Sequence, residues 1–384
     1  MSFLAVMPVA LALFVAIHYY IGLRGWQWLN STGVRPSRLV YWTLFCLLAL
    51  SLVASRMVPK SVPLWVAGLL AQISGYWMAV FVYALLLLLL IDLVRLLNRW
   101  LGFIPSRWNQ GGRLTRAIGA AVLLVLLMLM LYGTWRARTP VVTEYTVNIP
   151  KAAGQLHDLH VVMFSDTHLG YIFGNSRVQQ LVQTVNGLKP DVILVAGDIT
   201  DGDMRPILAE NMLATLNQMK AKLGTYGVLG NHDPRGADLP AFRAEMAQAG
   251  IHLLVDEAVQ VDDSFYVAGR SDNSQSRRQG AQAGLGQILA GVNPARPILL
   301  MDHQPNRLAD AQAAGVDLQV SGHTHQGQIF PGNLITKRIY EVDWGHLTRA
   351  ATHFIVSDGF GTWGPPIRIG NRPEVVSIRI TFGQ

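Results

Sequence analysis

The chain has 384 residues, enough for two domains, and 51% of them are hydrophobic while only 14% are charged. That hydrophobic content is high for a soluble protein. The formal net charge of +7 suggests nucleic-acid binding, but its distribution argues against that interpretation. Residues 1–139 contain twelve Lys and Arg against one acid, whereas residues 140–384 contain 19 against 23 acids. The basicity therefore belongs to the hydrophobic part, and we expect no nucleic-acid partner.

Four apolar runs occupy the N-terminal part of the chain, at residues 3–22, 39–58, 64–91 and 117–132. Each is long enough, or nearly so, to cross a hydrocarbon core of about 30 Å at ~1.5 Å per residue. Eight of the ten tryptophans lie in this part, most of them near the ends of the runs, as interfacial aromatic belts do. These features predict an N-terminal transmembrane four-helix region, residues 1–139, in a multi-pass integral membrane protein.

The basic residues of the loops predict the orientation of these spans. The first and third loops carry eight Arg, and the opposite side carries four Lys and Arg. This bias places the first and third loops in the cytoplasm and residues 140–384 on the outer side of the membrane. Asp92 and His18 fall near the ends of their runs, which favours an anchor over a transporter. Cys46 is the single cysteine, so no disulfide can form within the chain.

After Thr139-Pro140 the pattern changes to short strands that alternate with helices. Strands are predicted at residues 141–149, 161–164, 192–195, 226–229, 297–301, 316–320, 352–357 and 375–382, with a hairpin at 259–267. Helices are predicted at residues 176–188, 206–223 and 239–249. This alternation favours a layered α/β sandwich for the second domain, residues 140–384.

Side chains that can bind metals follow five of these strands, at the sheet edge where α/β proteins place ligand sites. They are Asp166 and His168, Asp198, Asn231 with His232 and Asp233, His303, and His323 with His325. Each motif alone is also compatible with a turn or a helix cap. Their joint occurrence predicts a metal site, most simply one for two metals. Imidazole, carboxylate and amide ligands without thiolate suit Mn, Fe or Zn.

The order of the motifs, D-x-H, G-D-x-x-D, G-N-H-D, H and G-H-x-H, resembles the calcineurin-like metallophosphoesterase superfamily over residues 155–370. The tail from Ser357 to Glu374 resembles the bacterial membrane-anchored branch, which includes enzymes similar to UDP-2,3-diacylglucosamine pyrophosphate hydrolases. The resemblance implies a four-layer α/β/β/α sandwich, a metal-dependent phosphoric ester hydrolase and a cell (inner) membrane location. The periplasmic side for the catalytic domain is the prediction from the loop arginines, not from the resemblance. Gln326 departs from the pattern, which has a second glycine there.

The resemblance also implies a role for each site residue. A bridging hydroxide would attack phosphorus in line, and two divalent metals, Mn favoured over Fe or Zn, would hold it. His232 would bind a phosphate oxygen or protonate the leaving oxygen, and Asp233 would orient His232. Asp201 is expected to be a turn residue or a support rather than a ligand. The first metal is assigned to Asp166, His168 and His325, the second to Asn231, His303 and His323, and both to Asp198.

Three functions stay open at this point. The first is hydrolysis of a phosphodiester or pyrophosphate bond in a phospholipid or lipid-linked phosphate. The second is the same chemistry on a soluble phosphodiester or phosphoprotein, and the third is a membrane transporter or sensor regulated by the metal domain. Trp344 and Trp363 fit either a membrane contact or a substrate cleft. Four loop arginines fit either an anionic headgroup or solvent, namely Arg235, Arg270, Arg277 and Arg278.

Overall fold

The computed structural model describes residues 3–234, 238–272, 274 and 283–383. The chain divides into two compact units. Unit 1 is Met1–Thr134 with Gly364–Pro366, and unit 2 is Trp135–Trp363 with Ile367–Gln384. The domain limits of 1–139 and 140–384 stay a prediction.

Unit 1 is built from four apolar helices: α1 (Phe3–Ser31), α2 (Arg38–Ala54), α3 (Leu64–Leu101) and α4 (Arg113–Arg138). The segments Met7–Ser31, Leu64–Leu101 and Gln110–Arg138 are long and apolar enough to cross a membrane. Helix α2 has 17 residues, a length of about 26 Å that falls short of a typical hydrocarbon core. Three of the four predicted spans are therefore supported, and α2 as a span remains a proposal.

Polar contacts join these helices to one another. Arg24 of α1 donates to Asp92 of α3 at 2.5 Å, and Tyr76 of α3 lies 2.9 Å from the Thr134 hydroxyl. Helix α1 runs nine residues beyond its predicted end, so His18 lies inside the helix and is buried. The prediction that His18 lies near the end of its span is wrong, because the polar residues after Tyr20 continue the helix.

Unit 2 contains two six-stranded sheets. Sheet 1 has the order β1-β12-β2-β3-β4-β5, with β1 (Val141–Ala152), β2 (Asp158–Phe164), β3 (Val192–Val195), β4 (Thr225–Val228), β5 (Ile251–Leu254) and β12 (Glu374–Gly383). Sheet 2 has the order β10-β11-β9-β8-β7-β6, with β6 (Glu257–Val261), β7 (Phe265–Arg270), β8 (Ile298–Asp302), β9 (Leu318–Ser321), β10 (Gly345–Arg349) and β11 (Thr352–Val356). Strands β2 to β5 are parallel neighbours, as are β7, β8, β9 and β11.

Most helices of unit 2 connect parallel strands, which need a crossover connection. Among the described residues they are α5 (Asn175–Leu188), α6 (Met204–Ala209), α7 (Met212–Leu216), α8 (Leu239–Gln248), α9 (Leu285–Ile288), α10 (Leu308–Ala313) and α11 (Gly332–Ile339). Residues of both sheets, among them Val161 and Leu299, form one shared core. Residues of α5 to α8 pack on sheet 1, and residues of α9 and α10 pack on sheet 2. The central strands β2, β3, β8 and β9 are largely buried and rich in Val, Ile and Leu, as expected where both faces of a sheet are covered.

The predicted strands are confirmed with shifts of a few residues at their ends. The hairpin is confirmed as β6 and β7, and Asp262 and Asp263 form its turn at φ of 49° and 50°. The single helix predicted at residues 206–223 is wrong. Asn211 adopts φ 54° and separates α6 from α7, and Asn tolerates this left-handed conformation better than most residues.

Candidate metal centre

The predicted ligands lie at the carboxyl ends of five strands, three in sheet 1 and two in sheet 2. Within each sheet these strands are parallel neighbours. The carboxyl ends of parallel strands meet at one edge, so the loops after them converge there. In sheet 1, Asp166 and His168 follow β2, Asp198 follows β3, and Asn231 follows β4. In sheet 2, His303 follows β8, and His323 and His325 follow β9.

Five of these residues have left-handed backbones. The φ values are 52° for Asp166, 45° for His168, 49° for Asp198, 70° for His323 and 46° for His325. Such conformations cost a non-glycine residue of the order of 1 kcal/mol each and persist where the surroundings impose them, often at functional sites. Gln326, the position where the family pattern has glycine, shares this strain at φ 44°.

Asp166, His168 and His325 form the first group of side chains that could hold a metal ion, and all three are buried. Nε2 of His168 and Nε2 of His325 are 3.2 Å apart, and Asp166 Oδ1 lies 3.2 Å from His325 Nε2. Two imidazole nitrogens and a carboxylate oxygen thus face the same small volume. A divalent cation would satisfy all three of these donors at once.

Asp198, His303 and His323 form the second group. His303 Nε2 lies 3.2 Å from Asp198 Oδ2 and 3.1 Å from Asn231 Oδ1. Asp198 Oδ2 is also 3.8 Å from Nε2 of His168, a member of the first group. Asp198 therefore lies between the two groups.

Hydrogen bonds with neighbouring backbone groups orient the predicted metal ligands. His303 Nδ1 lies 2.8 Å from the carbonyl of Ala196, so the proton belongs on Nδ1 and the lone pair of Nε2 faces Asn231 and Asp198. The backbone N–H of His323 donates to Asp166 Oδ2 at 2.9 Å, and the backbone N–H of His232 donates to Asp198 Oδ1 at 2.8 Å. Each loop thus holds a carboxylate of another loop in place.

Two glycines permit this close approach. A Cβ at Gly230 would lie 2.1 Å from Asp198 Oδ1, and a Cβ at Gly322 would lie 2.1 Å from Asp166 Oδ2. Neither clash can be relieved without displacing a carboxylate that a backbone amide already holds. The glycines of the G-N-H-D and G-H-x-H motifs are therefore a packing requirement of the site.

Burial and neighbouring charges set the ionisation of the donors. Burial lowers the pKa of both His323 and His325 to about 4, so their imidazoles are neutral near pH 7. Burial opposes the ionisation of Asp198, but the nearby imidazoles of His303 and His168 hold its pKa at about 2. The neutral imidazoles of His323 and His325 and the ionised Asp198 are in the protonation states that metal binding requires. Although burial opposes it, neighbouring carboxylates raise the pKa of His303 and His168 in the metal-free site, so a bound metal would displace any proton that these two rings carry.

The carboxylate next to His232 is Asp201. Its Oδ1 lies 3.1 Å from Nδ1 of His232 and 3.8 Å from Nδ1 of His168. Asp233, which was expected to orient His232, accepts from the backbone N–H of Thr200 at 2.9 Å and of Gly230 at 2.8 Å. Asp201 therefore contacts the His232 ring, and Asp233 joins the loops that carry Asp198 and Asn231. The orienting role expected of Asp233 stays a prediction.

Two further residues support His325 and were not singled out from the sequence. Arg368 is fully buried, and its Nη2 lies 3.2 Å from His325 Nδ1 while donating to the carbonyl of Gly361 at 2.8 Å. Asn371 donates to the His325 carbonyl at 2.6 Å. The position of Arg368 between Ile367 and Ile369 was the signal in the sequence. A guanidinium buried there requires several acceptors.

Arg270 does not face solvent or a headgroup. It is buried, and its guanidinium pairs with Asp302 and, at 3.3 Å, with Asp310. The prediction of an exposed loop arginine is wrong at this position, because Arg270 ends β7 beside the end of β8. Three other predicted loop arginines lie outside the described residues, namely Arg235, Arg277 and Arg278.

Comparison with known proteins agrees with this geometry. Residues 159–327 match the family described as Calcineurin-like phosphoesterase. An uncharacterized metallophosphoesterase of Aquifex aeolicus is 34% identical over 253 residues, which cover 64% of this chain and 93% of the relative. The chain belongs to the calcineurin-like phosphoesterase family. A further relative, from Danio rerio, is named a transmembrane protein with metallophosphoesterase domain and is 32% identical over 269 residues, 67% of this chain.

The chain matches 61% of the length of that Danio rerio relative. Among solved structures, TT1561 of Thermus thermophilus matches 53% of this chain and 90% of its own, with a TM-score of 0.37 and 12% identity. A likeness at that level carries no argument about function. Membership in the calcineurin-like phosphoesterase family identifies unit 2 as a metal-dependent phosphoester hydrolase domain. The two donor groups fit divalent metals because they consist of imidazole and carboxylate ligands whose ligand atoms lie close together.

Proposed function

We propose that this chain is a membrane-bound binuclear-metal phosphoesterase that hydrolyses a phosphodiester or pyrophosphate bond of a lipid or lipid-linked substrate. The position of Asp198 carries the proposal. Its Oδ2 lies 3.2 Å from the His303 ring and 3.8 Å from the His168 ring, one imidazole from each donor group. A carboxylate shared in this way is what a two-metal site needs, because it offsets the repulsion between two cations a few ångströms apart.

Seven residues would hold the metals in this proposal. The donor set of imidazole, carboxylate and amide without thiolate suits Mn, Fe or Zn, and Mn is the metal that we propose. When bound, two divalent cations supply Lewis acidity and lower the pKa of a bound water towards neutrality. Asp166, His168 and His325 would bind the first, Asn231, His303 and His323 the second, and Asp198 both.

His232 would act on the substrate. Its Nδ1 faces Asp201, so its Nε2 is available to bind a phosphate oxygen or to donate a proton to the leaving oxygen. About a third of its side chain is exposed, 30%, whereas His168 is buried at 2%. This exposure favours contact with a substrate for His232 and metal binding for His168. Asp201 would orient the His232 ring, and Asp233 would fix the positions of the loops that carry Asp198 and Asn231 relative to each other.

The apolar helices of unit 1 favour a lipid substrate over a soluble one. Three helices able to cross a membrane belong to the same chain as the hydrolase domain, so the site works where phospholipids and lipid-linked phosphates are concentrated. The tail resembles a membrane-anchored branch that includes enzymes similar to UDP-2,3-diacylglucosamine pyrophosphate hydrolases, and this resemblance supports a lipid-linked substrate. Hydrolysis of a soluble phosphodiester or phosphoprotein is the alternative, with the helices as an anchor.

A paired-substrate assay separates these two functions. The full chain in nanodiscs is given a diacylated nucleotide-sugar diphosphate and, separately, its deacylated counterpart, each with Mn. We expect kcat/KM to be at least about 100-fold higher for the acylated compound, since recognition of apolar chains adds binding energy. Asp198→Asn controls for contaminating hydrolases. Equal kcat/KM values for the two compounds would contradict a lipid substrate and favour the soluble alternative.

We also propose the orientation that the loop arginines indicate, with α2 as a fourth span and unit 2 on the periplasmic side of the inner membrane. Eight Arg in the first and third loops against four basic residues opposite support this orientation. A periplasm-dependent reporter such as alkaline phosphatase, fused after Gln384, should be active. An inactive fusion, together with an active cytoplasmic reporter at the same point, would reverse the orientation.

A further inference from the structure

Helix α11 exposes apolar side chains although it belongs to the well-packed hydrolase unit. Leu334, Ile335 and Ile339 are 59%, 61% and 67% exposed, and Phe330 just before the helix is 48% exposed. None of the eight residues of α11 is buried. A group of large aliphatic side chains on one surface is rare in soluble domains and marks a contact with a partner or a membrane.

This exposure is a fixed feature of the fold. Thr336, on the inner side of α11, donates to Asp343 Oδ2 at 2.7 Å. The backbone N–H of Phe330 donates to the carbonyl of Ile369 at 2.8 Å. At the start of the helix, a Cβ on Gly332 would lie 2.5 Å from the carbonyl oxygen of Gly327. The helix is thus tied to its unit at both ends and along one side, while its aliphatic side chains point away.

The helix is attached directly to the metal centre. It follows His325 along the chain after a short turn, and the ring of Tyr340 at its end lies 6.2 Å from the ring of His323 in an edge-on contact. Thr324, between the two histidines, donates to the carbonyl of Asp343 at 2.5 Å. The start of α11 is thus close in sequence to the predicted ligand His325, and the end of α11 contacts the predicted ligand His323 through Tyr340.

The charges on α11 indicate the kind of partner. Lys337 and Arg338 occupy its last turn, and both are exposed. Residues 140–384 carry more acids than bases, so an anionic surface would not be attracted to unit 2 as a whole. A short helix with aliphatic side chains and adjacent basic residues fits the interface of an anionic bilayer, where the aliphatic groups enter and the basic groups meet headgroups.

We propose that Phe330 and α11 form a bilayer-docking surface that inserts into the interface of a membrane containing anionic phospholipid. The chain carries candidate membrane-spanning helices of its own, so a bilayer is always within reach of unit 2. Docking through this surface would hold the loop His323-Thr324-His325 at the level of the lipid headgroups. The proposal goes beyond the proposed function, and it stands whether the substrate is a lipid or a soluble ester.

Site-specific fluorescence tests the proposal without measuring catalysis. Cys46 is the single cysteine, so a Cys46→Ser full chain accepts one new cysteine, Ile335→Cys or Ile339→Cys, labelled with NBD. The labelled chain is reconstituted into phosphatidylcholine vesicles with or without phosphatidylglycerol, and doxyl-labelled lipid is the quencher. Lys220→Cys is the matched control, because Lys220 is exposed and precedes β4, at the opposite edge of sheet 1 from the metal centre.

We expect doxyl lipid to quench the two α11 positions at least about twofold more than the Lys220 position, with blue-shifted emission. In a Lys337→Glu/Arg338→Glu background, the extra quenching in phosphatidylglycerol vesicles should fall to the level seen without anionic lipid. Quenching and emission at residues 335 and 339 equal to those at residue 220 would overturn the proposal. Quenching that is unchanged by anionic lipid and by the charge reversal would overturn its electrostatic part.

Discussion

Asp198→Asn should abolish hydrolysis while leaving the fold intact. The substitution keeps the shape of the side chain but removes the negative charge that lies between the two donor groups, 3.2 Å from the His303 ring and 3.8 Å from the His168 ring. Without it, two cations would repel each other with no shared anion. We expect kcat to fall by at least about 10³-fold, equivalent to about 4 kcal/mol of transition-state stabilisation. Bis-p-nitrophenyl phosphate hydrolysis by the detergent-purified chain measures the loss.

Metal content distinguishes this explanation from simple unfolding. The Asp198→Asn chain should bind less Mn than the parent after dialysis, and its melting curve should stay close to that of the parent. His232→Ala is the matched variant. It should lower kcat by about 10²- to 10³-fold with unchanged Mn content, because His232 acts on the substrate rather than on the metals. If Asp198→Asn kept both full activity and full Mn content, Asp198 would have no bridging role.

Arg270→Met should give the largest loss of stability among single substitutions in sheet 2. Arg270 and Asp302 are paired at the ends of β7 and β8, with side-chain exposures of 1% and 6%. Removing one partner leaves a buried charge uncompensated, which costs about 3–5 kcal/mol. We expect the unfolding midpoint of the detergent-purified chain to fall by roughly 10 °C, since a domain of this size loses a few degrees per kcal/mol. Circular dichroism during heating measures the shift.

The double variant Arg270→Met/Asp302→Leu is the control for that result. Replacing both partners by apolar groups of similar size removes the unpaired charge, so most of the lost stability should return. An Arg270→Met chain that melts at the same temperature as the parent would show that the pair contributes nothing. A double variant as unstable as the single one would place the cost in packing rather than in the buried charge.

Much of the fold was predictable because its determinants are local. The central strands are short apolar runs bounded by glycine or polar residues, and the ligands follow the strands directly in sequence. Knowing that parallel strands end at one edge is then enough to bring Asp166, Asp198 and His303 together. The apolar runs of unit 1 were visible for the same reason, but their ends were not. Helix α1 continues to Ser31, past the point where polar residues and Gly25 interrupt its apolar run.

The remaining features depend on contacts between residues far apart in sequence. The burial of Arg270 follows from the pairing of β7 with β8, and the contact of Arg368 with His325 joins residues 43 positions apart. The pairing of Asp201 with His232 depends on how two loops fold over the sheet edge. Helix α11 was not predicted at all, because its eight residues are fewer than the roughly 11–18 over which helical periodicity can be read from a sequence.

Unit 1 bears on the third function considered from the sequence, a transporter or sensor. The Arg24–Asp92 pair and the Tyr20 hydroxyl bonded to Asp92 at 2.7 Å link α1 to α3. Within the described helices these polar groups form an ion pair and a hydrogen bond with one another, as expected for a contact that stabilises the packing of two helices. The hydrolase function explains the converging donors of unit 2, and a transport function does not require them.

Counting the metals that hydrolysis requires is the most direct test of a two-metal site in this chain. The full chain is stripped of metal with a chelator, Mn is added back in steps, and bound Mn and bis-p-nitrophenyl phosphate hydrolysis are measured on the same samples. We predict no activity in the stripped chain and full activity at about two bound Mn per chain, as a shared-carboxylate site requires. Hydrolysis that persists without metal, or that saturates at one Mn per chain, would contradict the binuclear site.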